Sequence, residues 1–187
     1  MILPGSELWQ YLSPQQRVLA GDGEFLVNDS INHRDEEPTD YSYLVFPFAK
    51  MYEGFLKQLF LDVRFISERD YYSTHFRIGR GLSPNLTRRL GRNSIYALAV
   101  KKFGQAAANR LWQTWKEGRN LVFHYFPHNY RALSRQQAVI LINEITDTMA
   151  EAVRISHVRP HPPRDDVCLV GQSDHTPLKE HSSQGLL

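Results

Sequence analysis

An arginine, an asparagine and a histidine stand in an otherwise apolar stretch of this chain, Glu117-Gly118-Arg119-Asn120-Leu121-Val122-Phe123-His124-Tyr125-Phe126-Pro127. Burying an unpaired polar group is costly, so each of the three needs a reason to be there. Histidine titrates near neutrality and can take or give a proton. Arginine stays cationic and can hold two phosphate oxygens at once. Those are the requirements for cutting RNA without a metal. The 2′-hydroxyl attacks the adjacent phosphorus, its proton is removed, the departing 5′ oxygen is protonated, and the charge building on the phosphate is neutralised. On this reading His124 is general base or acid and Arg119 is the phosphate clamp. Asn120 orients the phosphate or a neighbouring side chain, and the products are a 2′,3′-cyclic phosphate and a 5′-hydroxyl. A plainer reading of the same residues is a histidine bonded to a backbone carbonyl and an arginine whose stem lies on apolar surface.

The pattern Arg119-Asn120-x-x-x-His124 matches the Arg-(four to six residues)-His motif of the HEPN superfamily, where a polar residue commonly follows the arginine. The segments Tyr43 to Leu61 and Asn93 to Pro127 resemble the HEPN domain of RNase LS-type toxins from bacterial toxin–antitoxin systems, and the resemblance extends over Tyr41 to Ala152. It implies a metal-independent endoribonuclease acting on single-stranded RNA (mRNA or tRNA), as a toxin or antiphage effector, with no cofactor. An uncontrolled ribonuclease is toxic, so a neutralising protein such as an antitoxin is the expected partner, but a toxin–antitoxin pair rather than another antiphage or RNA-processing role is not carried over from the resemblance. In that family a glutamate on the early helix joins the arginine and histidine. The matching position is Glu53, in Tyr52-Glu53-Gly54-Phe55-Leu56-Lys57, where a glutamate inside an apolar stripe is unusual. Glu53 would set the tautomer of His124, fix the pose of Arg119, or act as the second proton-transfer group. Those toxins carry additional N-terminal domains. Here residues 1–40 precede the bundle, so substrate handling by such domains is not carried over.

The spacing also makes a structural demand. On an ideal helix, residues five apart differ by about 140° in direction and about 7.5 Å along the axis. HEPN nucleases bring their motifs together by dimerising, so the resemblance implies a two-fold homodimer with a composite site. A local helix distortion within one protomer is the alternative.

Residues around the motif suit an RNA strand. Tyr125, His128 and Tyr130 could stack on unpaired bases, although Tyr125 and Phe126 could equally pack the helix end. The block from Arg77 to Arg119 is strongly basic, with Glu117 its one acid. Within it Arg88, Arg89, Arg92, Lys101 and Lys102 could track the phosphate backbone, or simply form a solvated face.

The elements that must position these groups follow from periodicity. Tyr43, Phe46, Met51, Phe55, Leu59 and their neighbours recur at helical spacing, predicting one long, largely buried helix from Asp40 to Phe65 with Pro47 in its early turns. Ser6 caps a short helix to Leu12, and Ser13-Pro14 starts a second turn or two. Gly21-Asp22-Gly23 signals a turn. Asn28 to Asp40 reads as a polar, acidic loop, and Ser67 to Ser83 as another loop. A short helix from Pro84 stops at Gly91, and Asn93 caps Ser94 to Phe103. Gly104 breaks the chain before a long helix from Gln105 to Tyr125, which Pro127 ends. Its expected core residues are Ala107, Leu111, Trp115, Leu121 and Val122. Ser134 caps the last helix, Arg135 to Arg154, with Ala138, Val139, Leu141, Ile142, Ile145 and Met149 inward. The expected architecture is all-α: a HEPN-like four-helix bundle over 41–156, a short N-terminal helical appendage with an acidic linker over 1–40, and a flexible tail over 157–187.

Composition bounds the rest. The chain has 187 residues, 42% of them hydrophobic and 12% aromatic, enough for one domain with a real core. Cys168 is its single cysteine, which excludes an intrachain disulfide and a cysteine-based zinc site. No signal peptide or membrane span is legible, so the expectation is a cytoplasmic protein without a membrane partner. His124 and His128 are four apart, but Pro127 lies between them and no H-E-x-x-H occurs, which disfavours a metal hydrolase. No G-x-S-x-G is present, and Arg77-Ile78-Gly79-Arg80-Gly81-Leu82 lacks a phosphate-loop pattern. The reading from another class is a non-catalytic helical module for dimerisation, RNA binding or antitoxin-like pairing. The acidic run from Asp35 to Asp40 could mimic phosphate and lie across the basic face.

Overall fold

The computed structural model describes residues 2–32 and 38–159, and among them there is no strand. The acidic residues 35–37, Cys168, and the tail from 160 on with its histidines lie outside the described residues. In chain order the helices are α1 Glu7–Tyr11, α2 Pro14–Asn32, α3 Ser42–Asp62, α4 Glu68–Tyr72, α5 Ile78–Leu82, α6 Thr87–Leu90, α7 Ile95–Phe103, α8 Gln105–Trp115 and α9 Arg135–Ser156. No helix in the described residues is long and apolar enough to cross a membrane.

Helix α3 is the axis on which the others are laid. Leu44, Phe48, Met51, Tyr52, Phe55, Leu56, Leu59 and Phe60 are fully buried, so its apolar surface runs around most of its circumference. A helix of that kind is stable only when enclosed. Helices α2, α9, α5 and α8 pack against it. Burial of each large side chain contributes about 1.5–3 kcal/mol, which outweighs the ~1 kcal/mol of a typical hydrogen bond. Polar ties then fix the alignment. The Tyr52 hydroxyl donates to the Leu111 carbonyl at 3.0 Å, joining α3 to α8. Burial, with the nearby charge of Glu144, pushes the Tyr52 pKa well above the ordinary phenol value, so the hydroxyl stays a donor. Thr114 and Thr148 share a buried hydroxyl contact at 2.9 Å, joining α8 to α9.

The N-terminal helices are more substantial than the sequence suggested. α1 has its Ser6 cap, but α2 runs on to Asn32, through the glycines taken for a turn and the first part of the expected polar loop. The reason lies in packing. Gly23 is pressed against the Phe48 ring on α3, where an added Cβ would fall 2.3 Å from a ring carbon. The glycine permits close helix approach rather than a reversal. Ile2, Leu8, Tyr11 and Leu12 enter the main core, and the Tyr11 hydroxyl donates to Asp62 at 2.6 Å.

Three further segments differ from expectation. The stretch from Ser67 to Ser83 contains α4 and α5 instead of an extended loop. Ser67 and Asp70 close a capping box on α4, and Gly79 and Gly81 let α5 lie against Trp115 and Ile95. Ser94, not Asn93, caps α7 through the Ala97 amide. The helix expected to reach Tyr125 is α-helical only to Trp115, and the next six residues wind as a π-helix, Lys116–Leu121. At the other end of the core, α9 has a Ser134–Gln137 capping box. It buries Ala138, Ile142, Ile145 and Met149 as expected, while Val139 and Leu141 are half-buried.

The two glycines of α2 should respond oppositely to alanine. Gly23→Ala meets the buried Phe48 ring and is expected to cost about 1–3 kcal/mol. Gly21, with nothing within 4 Å of its Cβ position, should gain about 0.5–1 kcal/mol as alanine in a helix interior. Urea denaturation of both variants measures this. A turn at this position would instead make both substitutions neutral or harmful.

Candidate active site around Arg119 and Glu53

The enclosure of α3 leaves one outward stripe, and Glu53 lies on it. Tyr43, Phe46 and Lys50 on the same stripe are exposed, while Glu53 and Lys57 are half-buried. Their spacing of three and four residues puts them on one helical face. The chain returns to this stripe at Lys116–Leu121. There Arg119 Nε donates to Glu53 Oε2 at 3.0 Å, between residues 66 positions apart in sequence. The pair is partly open, with side chains 41% and 31% exposed. The single guanidinium bond goes to Nε, and no other hydrogen bond among the described residues uses the two Nη groups. The Arg119 guanidinium also lies 5.9 Å from the centre of the Trp115 ring, within cation–π range. Trp115 is held by stacking on Trp112 at 5.7 Å and by the backbone of Gly79. Its indole N–H is buried without a hydrogen-bond partner among the described residues.

The π-turn supplies the local reason for this placement. Its i→i+5 pattern inserts an extra residue into the winding and re-aims the side chains after it. Gly118, inside the turn, is buried, with Ile145 of α9 about where its Cβ would be, 2.9 Å away. With Gly118 facing α9, Arg119 is carried toward α3. The distortion named above as an alternative is therefore present, but it ends at Leu121, before His124. The His124 amide donates to Leu121 O at 3.3 Å in the turn that follows. Its ring is exposed and takes part in no hydrogen bond among the described residues. Glu53 thus contacts Arg119 and not His124. Asn120 is half-buried, again without a side-chain bond among the described residues.

A short return loop follows. Phe123 reaches back edge-on to Phe46 at 5.7 Å. Tyr125 is 80% exposed, so it does not pack the helix end. Phe126 is half-buried and lies tilted against Tyr130 at 5.4 Å. His128 and Asn129 have positive φ, 59° and 48°, which places His128 off the helix as Pro127 suggested. Arg131 covers Phe126 at 4.8 Å and approaches Glu117 at 3.9 Å. The acid of the basic block therefore anchors the loop.

Asp40 pins the other end of that loop. It accepts from Ser42 N at 2.9 Å, Ser42 Oγ at 2.6 Å, Leu133 N at 3.1 Å and Asn129 Nδ2 at 3.1 Å. Its carboxylate is consumed locally and does not lie across the basic residues. Sequence reasoning overlooked this clamp, along with Lys50 and Lys57. Helical spacing from Glu53 could have found the lysines, but nothing in the sequence pairs Asp40 with Leu133.

The basic residues do not form one track. Arg88 and Arg89 end α6, and Lys101 and Lys102 end α7, all exposed. Arg92 lines a cavity with Arg77 and Arg80, whereas Lys102 lines a different one with Arg64 and Arg159. No three His, Cys, Asp or Glu side chains among the described residues are grouped so as to hold a metal ion. No protein-family model, curated protein or solved structure matches the chain.

The Asp40 clamp has a pH signature. Burial works to raise its pKa, but the bonds from Ser42, Leu133 and Asn129 outweigh this and hold it below the ordinary value of 3.8. A depressed folded-state pKa gives stability that is present above the unfolded-state pKa and is lost as pH falls through the folded one. Asp40→Asn should flatten the fall in stability that sets in as pH drops toward 3.8 and continues below it. Denaturation midpoints across that window measure it, and parallel curves for the two proteins would remove Asp40 from the account.

Proposed function

We propose that this chain is a metal-independent endoribonuclease of the HEPN type, with Arg119, His124 and Glu53 in its site and a HEPN-like arrangement of α3, α7, α8 and α9. One observation carries this reading: Arg119 and Glu53, far apart in sequence, meet on an open surface at 3.0 Å. The motif and the early-helix glutamate lie in separate segments of the sequence. Their meeting is what a shared site requires.

The geometry gives each group a task. Glu53 takes the Nε–H of Arg119 and leaves the Nη edge for a phosphate, which a guanidinium can grip with two parallel bonds. That favours fixing the pose of Arg119 among the three roles considered for Glu53. The negative charge of Glu53 is offset by Arg119, and Lys50 and Lys57 flank it on the same helix face, so a polyanion is not repelled. His124 moves the proton between the 2′-hydroxyl and the 5′ oxygen as the cyclic phosphate forms. Asn120 orients the phosphate. Tyr125 and Tyr130, both exposed, offer faces to unpaired bases.

A homodimer belongs to this proposal. Phe46 and Phe123 are 55% and 40% exposed and touch each other beside the site, with Phe46 one heptad from Glu53 on α3. Exposed aromatic surface of this kind marks an interaction patch. Pairing of two such patches about a two-fold axis would bring two copies of the motif to one cleft. The biological role that goes with it is a toxin or antiphage effector held in check by a partner protein. A second reading has its own observation: Arg119 bound to Glu53 is also what a structural ion pair looks like, as a non-catalytic module would have.

Cleavage of a labelled single-stranded RNA in EDTA separates the two. The wild type should leave 2′,3′-cyclic phosphate ends. His124→Ala should lower the rate by about 10²–10⁴-fold and Arg119→Ala by about 10²–10³-fold. Glu53→Gln, which still accepts the Nε–H, should lose less. Folded wild-type protein that cuts no RNA would favour the non-catalytic module. In sedimentation, Phe46→Glu should shift dimer toward monomer and reduce cleavage with it; a wild type that is monomeric at every concentration overturns the composite site.

A further inference from the structure

A second feature lies in the segment between α4 and α7. Four elements border a cavity of about 420 Å³ there, a size within the ~300–1,000 Å³ of small-molecule sites. Arg77, Arg80 and Arg92 line it, with His75 beside them. All four side chains are exposed at its mouth. The one carboxylate in the lining, Asp70, offsets one of the three positive charges and is hydrogen-bonded to Ser67. It accepts from the Ser67 amide at 3.1 Å and the Ser67 hydroxyl at 2.7 Å. Arg77 spends one donor on the Thr74 carbonyl. The Arg80 and Arg92 side chains make no hydrogen bond or ion pair among the described residues. Three guanidinium groups line one cavity with a single carboxylate, so positive charges repel one another there. An anion relieves that repulsion.

The local fold explains why the arginines converge. In α5 the glycines on either side of Arg80 are pressed inward, Gly79 onto Trp115 and Gly81 onto Ile95. Arg80 is left to point out. Gly91 has φ 53° and turns the chain so that Arg92 comes to the same cavity. The floor is apolar, with Ile66 and Ile95 buried and Phe65 and Phe76 half-buried. A bare anion has no use for such a floor. A flat, weakly polar ring attached to a phosphate does.

We propose that this cleft is a nucleotide-binding site, with the phosphates held by Arg77, Arg80 and Arg92 and the base lying over the floor at Phe76. Recognition is by side-chain guanidinium groups, which accounts for the lack of a glycine-rich phosphate loop in this segment. The chemistry fits a free nucleotide or one nucleotide of an RNA strand. It does not rest on the ribonuclease reading of the Arg119–Glu53 site, and Arg92 is the one residue it shares with the basic residues that could track an RNA strand.

Isothermal titration calorimetry with ADP, tetrauridylate, inorganic pyrophosphate and adenosine tests it. ADP should saturate one site per chain; tetrauridylate, titrated into the Arg119→Ala variant so that the Arg119–Glu53 site neither grips nor cuts it, should do the same, and the tighter of the two identifies the source. Pyrophosphate and adenosine should each bind at least about tenfold more weakly. Arg80→Ala and Arg92→Ala should each weaken binding by about tenfold or more. Both side chains are exposed and make no internal bond, so these variants should keep the wild-type melting temperature. Arg154→Ala, on α9, should bind ADP like wild type. No saturable binding of ADP or tetrauridylate, or binding unchanged in both arginine variants, overturns the proposal. So does pyrophosphate binding as tightly as ADP, because the floor would then have no role.

Discussion

The burial of α3 is the constraint from which the remainder of the molecule follows. A helix with apolar residues on most of its circumference has to be covered by other helices, and the cover leaves it a single outward stripe. Polar side chains on α3 are confined to that stripe or must be bonded internally, as Tyr52 is to Leu111. Glu53 is therefore not free to be anywhere else. Whatever element comes to lie along the stripe will meet it, and the π-turn brings Arg119.

The π-turn is the second decisive feature, and it depends on the first. An α-helix continued from α8 would have kept Arg119 and its neighbours in an ordinary register. π-Helical turns are rare and occur frequently at functional sites. Here the segment is held on two sides. Gly118 admits Ile145 of α9, and Glu53 of α3 binds Arg119. The return loop is then fixed by the Glu117–Arg131 approach and by the Asp40 clamp. The candidate site is thus positioned by contacts between elements more than by any one element.

Charge is distributed to the same end. The basic block in sequence does not line one cavity in space: Arg77, Arg80 and Arg92 line one, and Lys102 lines another. One cluster surrounds a cavity with an apolar floor, and another lies near the end of α9. A linear reading of charge could not have distinguished a continuous track from two sites.

The sequence by itself determined the long buried helix, the caps at Ser6 and Ser134, the breaks at Gly91 and Gly104, and the presence of chemistry-bearing residues at 53, 119, 120 and 124. These are local properties: periodicity, capping and the cost of polar groups in apolar runs act within one or two turns. Tertiary structure decided the rest. Gly21-Asp22-Gly23 has the composition of a turn, yet packing of Gly23 on Phe48 makes it helix. The run after Trp115 has the pattern of an α-helix, yet contact with α3 and α9 winds it as π. Which partner Glu53 takes, and that Asp40 holds Leu133, depend on residues distant in sequence. No local preference encodes such pairings, because their free energy exists only once the helices have packed.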